Sequence, residues 1–205
     1  MVRRTKEEAE QTRKDILQAS LNMFCEKGYN KTTLDDIAKS INLTKGAIYW
    51  YFDNKPAILK AIMVEDFENI SKQLASYIPT LQNIEDLKKY YMFLAEKVDT
   101  DINFRKFLYF IFLQMEWSTG LINSFQDIIE ELSMTPIITI EKVLLASQKC
   151  GQITSNLDVK VAASTIHAMW VGLLFNKLHH QQNSLGCMVN YSFDLVLNAL
   201  LSRKD

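Results

Sequence analysis

Glycine and proline are scarce in this chain, with six and three among 205 residues. So small a supply of turn formers excludes a turn-rich β-sandwich, a collagen-like chain and a low-complexity chain, and it favours helices. Cysteine is sparse too. The three thiols, Cys25, Cys150 and Cys187, are odd in number and lack metal-ligand spacing, so free thiols in a reducing compartment are expected. Histidine occurs only at His167, His179 and His180, no glycine-rich phosphate loop is present, and no serine or cysteine sits in a nucleophile motif. Neither an enzyme nor a cofactor or metal is expected. No run approaches about 18 uninterrupted apolar residues. The leading MVRRTKEEAEQTRKDI has no apolar signal core, so a cytoplasmic protein without membrane attachment is expected.

Charge of one sign is also missing overall, with 23 basic against 24 acidic side chains and a net charge of −1. The distribution is uneven. Residues 1–60 hold 11 basic and 8 acidic side chains, whereas the remainder holds 12 and 16, so only the front end suits an anionic partner.

The 48% of apolar residues recurs at helical spacing, with no alternating strand pattern. The reading is all-α, about nine helices. Ile16, Leu17, Leu21 and Phe24 mark a first helix over about 6–27, closed by Gly28. Thr33, with Asp36 three residues on, caps a short second helix; Thr44 caps a third, KGAIYWYF. A fourth helix starts at Asp53 or Asn54 and carries Ile58, Leu59, Ile62, Met63, Phe67, Ile70 and Leu74 towards Pro79. Further helices open at Asn83 and Asp101, the latter running to about Glu116. A long one runs from about Leu121 to Gly151, with Pro136 as the place for a bend, and the last two start near Asp158 and Ser184, the final one ending at about Ser202.

The segment TTLDDIAKSINLTKGAIYWYFDNK meets the needs of a helix-turn-helix. Ala38 is the small residue at the crossing, Asn42 tolerates the left-handed turn, and Ile37, Ile41, Leu43 and Ile48 plug the angle. With Ile48 inward, Lys45, Gly46, Ala47, Tyr49, Trp50 and Tyr51 occupy the rest of the third helix. Tyr49 and Trp50 either pack against neighbouring helices or face a partner. In a major groove, Gly46 and Ala47 let the backbone approach, while Lys45 reaches a guanine edge or a phosphate and Tyr49 a phosphate. Lys55 adds a cation, and Thr32, Thr33 and Thr44 offer hydroxyls and N–H groups to the DNA backbone, although plain capping explains Thr33 and Thr44 almost as well.

The run GYNKTTLDDIAKSINLTKGAIYWYFDNKPAIL resembles the signature of the tetracycline-repressor (TetR) family, and the leading VRRTKEEAEQTR is similar to the multidrug-efflux repressors of AcrR/TtgR type. The resemblance covers roughly residues 1–60. It implies a homodimer that binds a palindromic, double-stranded operator through the third helix and leaves it when a small molecule enters the C-terminal domain. On the family's motif, Thr33, Lys45, Gly46, Ala47, Tyr49, Trp50, Tyr51 and Lys55 fall where operator contacts are made. Asn42 stands where the family commonly has glycine, and Tyr51 where relatives often have histidine. The implied domains are 1–54 for DNA binding and 55–205 for ligand binding and dimerisation, with helix 55–78 as connector.

Six aromatic residues between Phe104 and Trp117, with Leu108, Ile111, Phe112 and Met115 among the apolar set, make either a central core helix or the wall of a cavity. Candidate partners in that wall are Met92, Phe93, Glu96, Ile137, Ile140, Trp170 and Phe175, with His167 and Asn176 as polar groups. The implied ligand is small and hydrophobic or aromatic. Val159, Ala163, Ile166, Trp170, Leu173 and Leu174, followed by Phe193, Val196, Leu197 and Leu200, make wide stripes on the last two helices. They serve either a four-helix interface across a two-fold axis or the chain's own core. The expected role is repression of a multidrug efflux operon. A regulator of lipid or aromatic metabolism and a helical interaction protein without DNA binding stand as alternatives.

Overall fold

The computed structural model describes residues 5–74, 81–180 and 184–201, without the side chains of Phe67, Ser71, Leu74 and residues 131–133. The expected end of the fourth helix at Ile78 and Pro79, the side chains of Phe67 and Leu74, and Ser202 lie outside the described residues. Among these there are ten α-helices and one π turn, and no strand. In order they are α1 (Lys6–Lys27), α2 (Leu34–Ser40), α3 (Lys45–Tyr51), α4 (Lys55–Leu74), α5 (Ile84–Thr100), α6 (Ile102–Tyr109), the π turn (Phe110–Gln114), α7 (Thr119–Ser124), α8 (Gln126–Lys149), α9 (Val159–His180) and α10 (Leu185–Leu201). The chain divides into two compact units, Met1–Glu68 with Lys106–Phe125, and Asn69–Arg105 with Gln126–Asp205.

In the first unit, a capping box starts α1, with Thr5 and Glu8 exchanging backbone and side-chain bonds. Gly28, at φ 84, ends it by donating to the Phe24 carbonyl at 3.0 Å. Ile16, Leu17, Leu21 and Phe24 of α1 are buried, as are Ile58, Leu59, Ile62 and Met63 of α4. Arg13 pairs with Glu65 and lies 5.6 Å from the Phe52 ring, so it links α1 to α4 and to the end of α3.

The helix expected to run from Asp101 to Glu116 stops short. After α6 the backbone widens into the π turn, closed by the Met115 N–H donating to Phe110 O at 2.8 Å. The wider turn lets Phe110 stack on Phe24 while the Gln114 amide donates to the Cys25 carbonyl at 3.1 Å, capping the end of α1. The long helix expected from Leu121 is likewise two helices. Phe125, 2% exposed and edge-on to Trp117, breaks it into α7 and α8, which raises nine helices to ten; α8 then runs through Pro136 without interruption.

The second unit packs α5 antiparallel to α10 and α8 against α9. Tyr91 of α5 sits 5.2 Å from the Trp170 ring of α9 and 5.0 Å from the Phe193 ring of α10. At one end, Asp99 of α5 accepts from the N–H groups of Leu185 and Gly186, from Ser184 Oγ and from Lys177 Nζ at 2.9 to 3.2 Å. At the other end Lys88 pairs with Asp194 at 2.5 Å.

This packing corrects the expected interface. Val159, Ala163, Ile166, Leu174, Phe193 and Leu197 are all less than a tenth exposed, because they fill the chain's own core. Leu173, Val196 and Leu200 are half-buried. The apolar surface left open on these helices is a different one, carrying Val161, Phe175, Tyr191 and Leu195.

Candidate nucleic-acid interface

The site is assembled by three short elements of the first unit. Thr33 Oγ1 accepts from the Asp36 N–H at 3.1 Å and Asp36 Oδ2 accepts from the Thr33 N–H at 3.0 Å, fixing the start of α2. These bonds hold the Asp36 carboxyl below its ordinary value, the Thr33 hydroxyl contributing most. Ala38, 1% exposed, allows the close crossing, and Asn42 takes φ 54, so the Leu43 N–H folds back to the Ala38 carbonyl at 2.8 Å. Thr44 caps α3 by accepting from the Ala47 N–H at 3.2 Å, and Ile48 is fully buried beneath it.

That single anchor decides what α3 shows to solvent. Thr44, Lys45 and Gly46 are exposed at its first turn, and Ala47 is half-buried. A Cβ built on Gly46 meets only Thr44 Oγ1, at 3.9 Å, so nothing crowds the helix backbone on this face. Tyr49 is 48% and Trp50 75% exposed, so neither packs into the chain as a core residue. Lys45 Nζ lies 5.7 Å from the Tyr49 ring, and Trp50 meets the half-buried Tyr51 edge-on at 4.7 Å. A lysine, a phenol hydroxyl and a large aromatic surface thus share one exposed helix, flanked by the capped starts of α2 and α3. This is an arrangement suited to phosphates and base edges.

Two expected contacts are placed otherwise. Thr32 is 1% exposed and its hydroxyl donates to the Gly28 carbonyl at 2.8 Å, so it presents nothing outward. Lys55 Nζ donates to the carbonyls of Tyr29 at 2.7 Å, Thr32 at 2.9 Å and Asn30 at 3.4 Å, and lies 4.4 Å from the Tyr29 ring. Burial lowers the pKa of this ammonium and raises that of Tyr29 to about 12. The sequence signals only that Lys55 begins a helix; that it turns back onto the 29–32 carbonyls depends on the tertiary approach of α4.

The expected ligand-binding residues divide between the units. Leu108, Ile111, Phe112 and Met115 belong to the first; Leu108 and Met115 are buried there, Ile111 is half-buried and Phe112 is 45% exposed. The other ten belong to the second. Met92, Phe93 and Glu96 come together there, lining an open groove of about 610 Å³ with Lys88, Lys89, Asp99, Ser184 and Gly186. Phe104, Ile140 and Trp170 are buried, Ile137 is half-buried, and Phe175 and Asn176 are exposed. His167 is half-buried with Nδ1 lacking a partner, and burial lowers its pKa. In the same unit two other buried groups without a partner, Tyr91 Oη and Ser147 Oγ, are not signalled by the sequence beyond a hydroxyl on an otherwise apolar helix face; in the first unit Tyr29 Oη and Gln114 Oε1 are in the same state. Among the described residues no three His, Cys, Asp or Glu side chains converge on a metal site, and no helix is long and apolar enough to cross a membrane. The Cys25 thiol is pushed by burial to about 11.

Comparison with known proteins gives the same assignment at both ends of the chain. Residues 16–62 match the model of bacterial regulatory proteins of the tetR family, and residues 82–199 that of the MAATS-type transcriptional repressor C-terminal region. The chain is 31% identical over 184 residues to the "Probable acrEF/envCD operon repressor" of Escherichia coli, covering 87% of this chain and 81% of that protein. The HTH-type transcriptional regulator AcrR of Shigella flexneri is 28% identical over 185 residues, 89% of this chain and 86% of AcrR. The solved structure of NalD, the secondary repressor of the MexAB-OprM multidrug efflux pump in Pseudomonas aeruginosa, superposes with a TM-score of 0.78 at 20% identity, covering 97% of this chain and 100% of NalD. SmeT, the repressor of the Stenotrophomonas maltophilia multidrug efflux pump SmeDEF, gives 0.72 at 26% identity over 94% and 91% of the two chains. A helix-turn-helix with an exposed Lys-Tyr-Trp face, family models over residues 16–62 and 82–199, and transcriptional regulators matched over four fifths or more of their length lead to one conclusion: the chain belongs to the TetR family of transcriptional repressors and is not an enzyme.

Proposed function

We propose that the protein is a homodimeric repressor of a multidrug efflux operon, bound to a palindromic operator through α3 and released by a small hydrophobic or aromatic molecule. The observation that carries operator binding is the exposed face of Lys45, Tyr49 and Trp50 above the buried Ile48. Trp50 in particular, although it meets Tyr51 edge-on, is 75% exposed, a large aromatic surface open to a partner. The multidrug assignment follows the relatives, two of which are named as repressors of efflux pumps.

The dimer uses the apolar strip that the chain leaves open. On α9, Val161, Thr165, Ala168, Gly172 and Phe175 are all exposed and recur every three or four residues, which puts them on one face. Tyr191 and Leu195 are likewise exposed on α10. Covering this strip with its copy makes a four-helix seam. A rigid dimer then holds two α3 helices about 34–36 Å apart, the separation of successive major grooves on one face of DNA.

Ligand binding is supported by the core of the second unit. Tyr91 Oη, Ser147 Oγ and His167 Nδ1 are buried without partners, a cost that a bound molecule with polar atoms relieves. A ligand that favours a packing with a changed head separation lowers operator affinity; a coupling of about 1–3 kcal/mol corresponds to roughly 5–150-fold.

The decisive experiment selects duplexes from a random pool on the wild-type protein and measures their affinity with and without a panel of apolar aromatic compounds. Triclosan, present in a solved SmeT complex, is the first member of that panel. Recovery of a palindrome whose complex weakens with salt and with at least one compound is expected. Recovery of no duplex, or an operator titration unmoved by every compound that binds, overturns the reading.

A further inference from the structure

Lys55 stands where an operator phosphate contact is expected, yet its ammonium is already occupied. An ammonium has three N–H donors, and the carbonyls of Tyr29, Asn30 and Thr32 accept from it. The Tyr29 ring covers the cation at 4.4 Å. Handing this charge to a phosphate takes a donor from three carbonyl oxygens; that of Tyr29 keeps the Thr32 N–H at 3.2 Å, whereas that of Thr32, on a residue 1% exposed, has to be satisfied again.

The position of the contact matters as much as its strength. Lys55 is the first residue of α4, three residues after Phe52 closes α3. The carbonyls it holds belong to the segment that leads from α1 into the Thr33 cap of α2. One side chain therefore joins the entrance of the helix-turn-helix to its exit. The far side of the clamp is firm, since Tyr29 packs edge-on against Phe24 at 5.1 Å and Phe24 stacks on Phe110 at 5.6 Å.

We propose that Lys55 serves operator binding as a positioning residue, a brace that fixes α2 against α3, and that it makes no phosphate contact in the complex. This rests on the repressor reading above. A phosphate contact and a brace differ in a measurable way. Each lost phosphate contact removes about 0.9 from the slope of log affinity against log salt, whereas a brace changes affinity without changing the number of ions released.

The test uses full-length protein and the palindromic duplex selected on wild type. Affinities of wild type, Lys55→Met, Lys55→Arg and Lys45→Met are measured over a salt series. Lys55→Met is expected to bind about tenfold more weakly, comparable to one mismatched base pair, with the wild-type salt slope. Lys55→Arg keeps the charge but replaces a compact three-donor group with a planar fork, so it does not restore affinity. Lys45→Met, on the exposed face, removes one contact per subunit and so about 1.8 of slope from the dimer. Amide exchange separates bracing from unfolding: in Lys55→Met it quickens over residues 29–34, while α1 and α8–α10 keep their protection. The proposal is overturned if Lys55→Met loses about two ions of slope, one per subunit, if Lys55→Arg binds like wild type, or if exchange quickens throughout the chain. Failure to select any duplex on wild type removes the repressor reading, and the brace with it.

Discussion

Phe110, the first residue of the π turn, stacks on Phe24 near the end of α1 with ring centroids 5.6 Å apart and planes 25° from parallel. Both rings are fully buried, and the contact spans 86 residues of sequence. Phe110→Ala is therefore expected to cost about 3–5 kcal/mol, the usual range for deleting a core aromatic ring. Urea unfolding followed by tryptophan fluorescence measures it; a loss under about 1 kcal/mol contradicts the packing described.

Asp99 ties α5 to the first turn of α10 and to Lys177. Burial pushes its carboxyl up, but the Gly186 N–H, the Lys177 ammonium, the Ser184 hydroxyl and the Leu185 N–H together hold it below the ordinary 3.8. A carboxyl whose folded pKa lies below its unfolded one adds stability above 3.8, and this is lost as pH falls through the folded value. Asp99→Asn is expected to lower stability by about 2 kcal/mol at neutral pH. It also flattens the acid limb of the stability curve below the ordinary carboxyl value.

His167 also costs stability on acidification, but because burial disfavours its charged form. Burial lowers its pKa below 6.5, so the unfolded chain binds the proton more readily and stability falls as pH drops below 6.5. Above 6.5 both states are neutral and the group contributes no slope. His167→Leu should remove this dependence, read from urea midpoints at about pH 8 and about pH 5.5. An unchanged slope in the variant assigns the effect elsewhere.

Thr32 and Thr33 are neighbours with different duties. Thr32→Val removes a buried hydroxyl and leaves the Gly28 carbonyl short of a donor, a loss of about 1 kcal/mol with no effect on the salt slope of DNA binding. Thr33→Ala removes an N-cap, also about 1 kcal/mol, and takes a hydroxyl from the exposed rim of the reading head. Thermal unfolding with parallel operator titrations distinguishes the two.

The open strip on α9 predicts a simple oligomerisation mutant. Phe175→Glu places a charge on a face proposed to meet its own copy, so sedimentation should show a monomer whose operator affinity collapses, since one head no longer holds the other. A variant that remains dimeric moves the seam elsewhere.

Local chemistry made the reading head legible. Thr33 with Asp36, Asn42 and Thr44 act through bonds spanning five residues or fewer, and the structure shows each at its post. What stayed hidden depends on approach from afar. The inward turn of Lys55 is a contact across 23 to 26 positions, and that of Gln114 spans 89. The π turn was invisible because an apolar run such as FLYFIFL fits an α-helix equally well. On α9 and α10 the stripes were wide enough to serve two neighbours. Periodicity could not say that Ile166 and Leu174 face inward while Val161 and Phe175 face out.

Asp99 and Lys88 fasten α5 to α10 at both ends, which makes the pair behave as one stiff rod. On the proposed dimer, an effector that nudges α5 would shove the outer helix with it, so news of occupancy in one subunit would arrive at the proposed seam with the other. Half-filled dimers of such a regulator should already respond as a whole.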